Sequence, residues 1–184
     1  MKRWLVLLLP LLPLAGCGSP GPQSDWERRN LKEKPAAEEQ VELPAPPARA
    51  NLLEFSVSEA DGFHFFVDRT TLSIGKDGVV RYTLVARSAD GVQNVSYEGL
   101  RCATADYRTY AFGRADGSWA SSRSGWRSLE GSAQQRWRTT LYRDYFCPQN
   151  DAIRNAAEGV RALEQGGHPF AKGFGAPGAV TPPR

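Results

Sequence analysis

Short apolar, β-branched and aromatic runs recur through the middle of the chain, with Asp-Gly pairs between or near them. In residues 79–87 apolar and polar residues alternate, which is typical of a strand with one buried face and one face in water. The expected buried face carries Val80, Tyr82, Leu84 and Ala86, and the expected wet face carries Arg81, Thr83, Val85 and Arg87. Residues 51–146 are therefore predicted to form an antiparallel sheet.

The Asp-Gly pairs predict how the strands are connected. They are Asp61-Gly62, Asp77-Gly78, Asp90-Gly91 and Asp116-Gly117. Both residues of such a pair tolerate the positive φ that two-residue hairpin turns require. We therefore expect tight turns and a meander of neighbouring strands.

Residues 149–165 have a helical period instead. Their apolar residues recur at three- and four-residue spacing and are Ile153, Ala156, Ala157, Val160 and Leu163. Such a stripe favours an amphipathic helix, with Asn150 or Asp151 as its cap and Gly166-Gly167 at its end. The predicted fold class is α+β: an antiparallel β-sheet meander with one C-terminal amphipathic helix packed on it.

The first residues form an apolar run of another kind. Lys2 and Arg3 precede residues 4–14, which are too few for a membrane span of about 20 residues. The run ends in Leu14-Ala15-Gly16-Cys17, which resembles the bacterial lipobox, where the cysteine is acylated and the preceding bond is cut. We therefore expect a signal peptide over residues 1–16 and a lipid on Cys17. The alternative is an ordinary secretory signal that ends by chance in a cysteine.

The residue after the cysteine bears on the compartment. In lipoproteins that this motif resembles, aspartate at that place usually retains the protein at the inner membrane, and this chain has Gly18. The resemblance implies an outer-membrane lipoprotein that faces the periplasm, with surface exposure as an alternative.

Composition divides the rest of the chain. Residues 17–50 are expected to be the lipidated cysteine and a tether, because they contain six prolines among small and charged residues. Residues 51–165 are expected to be the sheet-and-helix domain, and residues 166–184 a disordered tail. Two arrangements fit residues 41–47: they move freely, or they dock along the domain with Trp26 as a polyproline-type strap.

The three cysteines fit an exported protein once one of them is lipidated. Cys17 is used by the lipid, which leaves Cys102 and Cys147 as a pair. In an oxidising compartment we expect a disulfide between them. The alternatives are two free thiols or half of a metal site, although neither cysteine has another ligand at metal spacing.

Net charge gives little support to a nucleic-acid partner. The formal charge is +3, but without Lys2 and Arg3 the chain has 21 basic and 20 acidic side chains. We therefore expect no nucleic-acid partner.

Several strings of the middle region occur together in one known family. They are Phe65-Phe66-Val67-Asp68, Ser73-Ile74-Gly75, the run 77–85, the run 94–99, Arg101-Cys102, the run 110–113, Trp119 and Phe146-Cys147-Pro148. With them, residues 51–165 resemble the CNP-like (CNP-one-like) family of uncharacterised proteobacterial envelope lipoproteins. The resemblance implies the fold and the compartment and leaves the activity open.

A fainter similarity is to the surface-adhesin protein E group. It depends on an aromatic-Val-Asp string, a Val-Arg-x-x-Leu-Val strand and a later cysteine. Those proteins are small lipoproteins with an antiparallel sheet and a packed helix, and some bind host ligands. The similarity implies host adhesion as an alternative function.

Few residues suggest catalysis. Neither His64, expected in a strand, nor His168, expected in the tail, has a partner at metal spacing, and no nucleophile elbow, phosphate loop or dinucleotide motif occurs. The carboxylates with which an envelope enzyme would work are Asp68, Glu98, Asp106 and Asp144. We expect them to pair with turns or arginines, and we expect no catalytic residues, cofactor or metal.

Arginines and aromatic residues are concentrated in residues 101–143, which contain eight arginines and only three acidic residues. The candidate ligand-binding residues are Arg123, Arg127, Arg136, Arg138, Trp119, Trp126 and Trp137. Guanidinium groups bind phosphate or carboxylate bidentately, and indoles stack on sugars or peptides. The alternative is a sheet surface on which arginines lie across aromatic rings.

The sequence as a whole predicts a non-catalytic binding or structural module of the outer membrane or periplasm. Its expected partners are the membrane, through the N-terminal lipid, and an envelope protein, peptidoglycan or lipopolysaccharide. The alternatives are a surface adhesin and a carboxylate-dependent envelope enzyme.

Overall fold

The computed structural model describes residues 38–58, 62–130 and 135–171. All of them belong to one compact unit, Pro35–Arg184. The predicted signal peptide, Cys17, Trp26 and residues 172–184 lie outside the described residues.

An open, antiparallel eight-stranded sheet forms most of this unit, as predicted from the alternating pattern. The strands are β1 (Leu52–Phe55), β2 (Phe63–Asp68), β3 (Ser73–Ile74), β4 (Val79–Ser88), β5 (Gln93–Arg101), β6 (Asp106–Gly113), β7 (Trp119–Ser121) and β8 (Arg127–Ser128). Their order is β1-β2-β4-β5-β6-β7, with β3 paired to β4 and β8 paired to β6. Sequential strands are neighbours in most of the sheet because short hairpins connect them.

Three hairpins have the same turn, which differs from the two-residue turn that we predicted. Gly78, Gly91 and Gly117 each have positive φ and donate a backbone hydrogen bond to the carbonyl three residues earlier. The preceding aspartates do not have positive φ. This is a three-residue loop in which only glycine enters the left-handed region. Asp77 and Asp116 instead accept hydrogen bonds from the backbone N–H two residues further on.

Helical segments cover one face of the sheet, and they begin earlier than predicted. Helix α1 (Arg136–Thr140) continues into a π-helical turn, Leu141–Phe146. A 3-10 turn, Pro148–Asn150, then precedes helix α2 (Ala156–Glu164), which Asn155 caps. The single helix over residues 149–165 is therefore not confirmed. Gln149 and Asn150 have positive φ, which ends any α-helix at that point.

The core lies between this helical layer and the sheet. Its largest fully buried members are Tyr82, Phe146, Leu100, Leu141 and Ile153. Gly159 lets α2 approach closely, since a Cβ there would lie 2.5 Å from Ile153 Cδ1 and 2.6 Å from Leu72 Cδ2. Cys102 and Cys147 form a disulfide that links the end of β5 to the end of the π-helical turn.

The opposite face of the sheet is not wet, contrary to our prediction. Arg81, Thr83 and Val85 are all buried. Part of their cover is residues 38–47, a segment without helix or strand that lies on this face and precedes the sheet in the chain. We call this segment the strap and the face under it the strap face. A period-two pattern cannot reveal a cover that comes from elsewhere in the chain.

The chain also remains packed beyond residue 165, where we predicted a disordered tail. His168 and Ala171 are buried, and the backbone N–H of His168 donates to the Asp144 carbonyl. His168 Nε2 lies 3.1 Å from Glu158 Oε1. Burial alone would raise the pKa of Glu158, but hydrogen bonds from Arg154 and His168 lower it to about 2. This paired carboxylate gives the buried histidine a partner.

Candidate functional site

The structure does not bring the seven arginine and tryptophan candidates to one surface. Trp119 and Trp126 belong to the strap face, where their indole nitrogens contact the strap. Trp137 and Arg138 belong to the helical layer on the other face. The remaining three, Arg123, Arg127 and Arg136, are exposed. Two separate regions therefore replace the single ligand face.

Arg138 is engaged by a buried carboxylate. Its Nε donates to Glu98 Oε2 at 2.8 Å, and its Nη2 donates to Glu98 Oε1 at 2.6 Å. The hydroxyls of Tyr82 and Ser96 donate to the same carboxylate. Burial disfavours the charged guanidinium, but Glu98 outweighs it and raises the pKa of Arg138. Its bidentate fork is thus occupied within the protein.

An apolar pocket of about 290 Å³ opens beside this ion pair. Strands β2, β4, β5 and β6 and helix α1 supply its walls, which include Phe65, Ala86 and Trp137. Phe63 and Phe112 also line it and are exposed by 41% and 51%. We call this the apolar pocket. Exposed aromatic side chains beside a concave apolar surface are typical of a binding site.

The polar groups of the apolar pocket limit what it accepts. Glu98 and Arg138 line it, but each neutralises the other. The indole Nε1 of Trp137 is buried and has no acceptor among the described residues. An apolar group would suit this lining, whereas a free charge would not.

The strap face consists of arginines stacked on aromatic rings, which is the alternative that the sequence left open. The contacts are Arg81 and Arg108 over Tyr110, Arg87 over Phe66, and Arg101 over Trp126, at 4.1–5.7 Å from the ring centroids. Stacks of this kind hold the guanidinium groups flat on the sheet.

Hydrogen bonds hold the strap on this face at Glu38 and at Pro44. Glu38 Oε2 accepts from Arg108 Nη1 at 2.6 Å and from Trp126 Nε1 at 3.1 Å. Further along, Trp119 Nε1 donates to the Pro44 carbonyl at 2.7 Å. Glu38 was not predicted from the sequence, where its signal is an acidic residue ahead of a proline-rich segment. Arg108 belongs to the arginine-rich residues 101–143 but was not among the seven candidates.

A third contact fixes the strap to the turn between β3 and β4. The Glu39 N–H donates to Asp77 Oδ2, and Glu39 Oε2 accepts from the Lys76 N–H. Burial alone would raise the pKa of Asp77, but hydrogen bonds from Arg81, Glu39 and Val79 lower it to about 2. Gly75 provides the space, since a Cβ there would lie 2.3 Å from Asp77 Oδ1.

The carboxylates considered for catalysis are engaged separately. Asp68 accepts from Thr70, Asp106 from Thr104 and Asp144 from Arg143, while Glu98 binds Arg138. Among the described residues no hydrogen bond joins two of these four. The same part of the chain contains no group of three or more His, Cys, Asp or Glu residues placed to hold a metal.

A helix that spans a membrane must be long and apolar. None of the helices in residues 38–58, 62–130 and 135–171 is long and apolar enough to cross a bilayer.

Comparison with known proteins places the chain in a family. The model of the CNP1-like family matches residues 31–164, which is most of the chain. The chain belongs to the CNP1-like family. The matched region of this CNP1-like chain begins before residue 51 and includes the strap. No curated protein and no solved structure matches the chain.

Proposed function

We propose that this CNP1-like chain is a lipid-anchored lipoprotein of the bacterial outer membrane, facing the periplasm. Support comes from the Leu14-Ala15-Gly16-Cys17 motif, from Gly18 and from the disulfide between Cys102 and Cys147. Disulfides persist in oxidising compartments, and this one leaves Cys17 available for a lipid. An N-terminus with two or more acyl chains holds a protein firmly on a membrane.

The domain is a non-catalytic binding module, and its binding site is the apolar pocket. The observation that carries this proposal is the exposure of Phe63 and Phe112 beside a concave apolar surface. A volume of about 290 Å³ is near the lower end of the range for small-ligand pockets, so it suits one apolar group.

The partner that fits best is an envelope protein, which inserts one apolar or aromatic side chain. Buried aromatic anchors contribute much of the binding energy at protein interfaces. Peptidoglycan and lipopolysaccharide headgroups offer mainly sugars and charges, which the neutral Glu98–Arg138 pair does not favour.

Differential capture from envelope extracts tests this site. Wild type, Phe112→Ser and Phe170→Ser are used as baits, because Phe170 is exposed by 64% and does not line the pocket. We expect the Phe112→Ser protein to lose a partner that wild type and Phe170→Ser both retain. Identical sets of partners for all three baits would contradict the assignment of the pocket.

The anchor is tested separately. Intact mass of the protein purified from membranes is expected to show cleavage before Cys17 and added acyl chains. The Cys17→Ser variant is expected to lose membrane association. Recovery of an uncut and unacylated wild-type chain would contradict the lipoprotein assignment and leave the pocket untouched.

A further inference from the structure

The strap meets the sheet once every three residues. Its partly buried positions are Glu38, Val41, Pro44 and Pro47, and the residues between them are exposed. A polyproline II helix has three residues per turn and therefore presents every third residue to one side. The strap thus lies on the sheet as a single-sided polyproline-type ligand does, and it forms no strand pairing.

The contacts of the strap are those by which protein grooves recognise extended peptides. Aromatic residues line the groove, with Trp119 beside Tyr97, and the Trp119 indole donates to the Pro44 carbonyl. Proline-rich ligands enter such grooves at low entropic cost because they are already extended.

A charged subsite fixes the other end of the ligand. Glu38 is held by Arg108 and Trp126, and Arg101 stacks on the Trp126 ring at 4.1 Å. This subsite selects a carboxylate six residues before the proline whose carbonyl binds Trp119.

The groove is incompletely filled at the proline end. A cavity of about 370 Å³ lies between Pro46 and Pro47 of the strap and Gly113, Arg114 and Trp119 of the sheet. The strap also reaches each of its partners over 37 to 88 residues of sequence. Its contacts would be the same if the peptide came from another chain.

We propose that the strap face is a peptide-binding groove whose resident ligand is the strap, and that it accepts a peptide of the same chemistry from a partner protein. That peptide is extended and acidic at its start, with a proline six residues later. The resident strap competes through its high local concentration, so a partner must displace it. This site is separate from the apolar pocket and does not depend on the proposed function.

The test uses the full chain and a synthetic peptide of residues 36–49. In the Glu38→Ala variant the carboxylate anchor is lost, whereas Glu42→Ala is the matched control because Glu42 is exposed on the same strap. Binding is followed through the indole N–H signals of Trp119 and Trp126 in nuclear magnetic resonance spectra. We expect Glu38→Ala to release its strap and bind the peptide at least tenfold more tightly than wild type and Glu42→Ala.

A second peptide and a second variant complete the test. A peptide with alanine at position 38 is expected to bind at least tenfold more weakly than the wild-type peptide. The Glu38→Gln variant, which keeps the size of the side chain but lacks its charge, provides a second route to strap release if Glu38→Ala does not fold, and it leaves the residues of the groove unchanged. A released strap with no peptide binding, or a strap that stays docked in both variants, would overturn the proposal.

Discussion

Arg138 binds both oxygens of Glu98 inside the core, at 2.8 and 2.6 Å, and Glu98 has no exposed surface. The pair links helix α1, which belongs to the helical layer, to strand β5 of the sheet. Arg138 also lies 4.5 Å from the centre of the Tyr107 ring. A residue that looks like a ligand-binding arginine in the sequence therefore has a structural partner 40 residues away.

Glu98→Gln is expected to lower the free energy of unfolding by about 3–5 kcal/mol, because it leaves a buried guanidinium charge without compensation. Denaturant unfolding at neutral pH measures this loss. The control is the double variant Glu98→Leu with Arg138→Met, which removes both charges and is expected to recover much of the stability. A loss below about 1 kcal/mol for Glu98→Gln would contradict a buried charge pair.

Loss of the disulfide is expected to lower the free energy of unfolding by about 4 kcal/mol, since the bridge closes a long loop of the unfolded chain. The variant is Cys102→Ser with Cys147→Ser, compared with wild type in urea. Reduced wild type serves as the control and is expected to match the variant. If reduction leaves the unfolding midpoint unchanged, the bridge is absent or contributes nothing.

Strap docking is expected to weaken in acid. Burial would raise the pKa of Glu38, but contacts with Tyr110, Trp126 and Arg108 lower it below its ordinary value of 4.5. A depressed pKa means that the carboxylate stabilises docking above pH 4.5, and that this contribution falls as the pH drops through the docked pKa. The strap is therefore docked at neutral pH and loosens below about pH 4.5.

The indole signal of Trp119, followed from pH 7 to 3, measures this transition. Glu38→Gln is the control and is expected to lose the part of the transition that belongs to this carboxyl. Tighter docking at low pH would contradict the sign of the effect. An identical transition in Glu38→Gln would show that another group is responsible. One such group is Asp77, which accepts a hydrogen bond from the Glu39 N–H of the strap.

The sequence predicted the features that depend on local pattern. The alternation in residues 79–87 identified β4, and the count of cysteines identified the pairing of Cys102 with Cys147. The burial of Arg81 and Thr83 was missed because the strap that covers this face lies more than 30 residues earlier in the chain. Alternation describes one strand and contains no information on what packs against its second face.

Helix α1 and the apolar pocket were missed for different reasons. Trp137, Leu141 and Tyr145 recur at four-residue spacing, which is a helical signal that the surrounding arginines obscured. The residues that line the pocket come from four strands and a helix, between Phe63 and Arg138 in the chain. No local sequence pattern therefore predicts it. Its exposed aromatic residues become informative only when the fold brings them to one concave surface.

Site-specific photo-crosslinking in living cells tests the binding module most directly. A benzophenone amino acid replaces Phe112 beside the apolar pocket or, as the control, Phe170 outside it. We expect irradiation to yield a protease-sensitive adduct with an envelope protein from position 112 and not from position 170. The same adduct from both positions, an adduct with lipid alone, or none from position 112 would contradict a pocket that binds a protein partner.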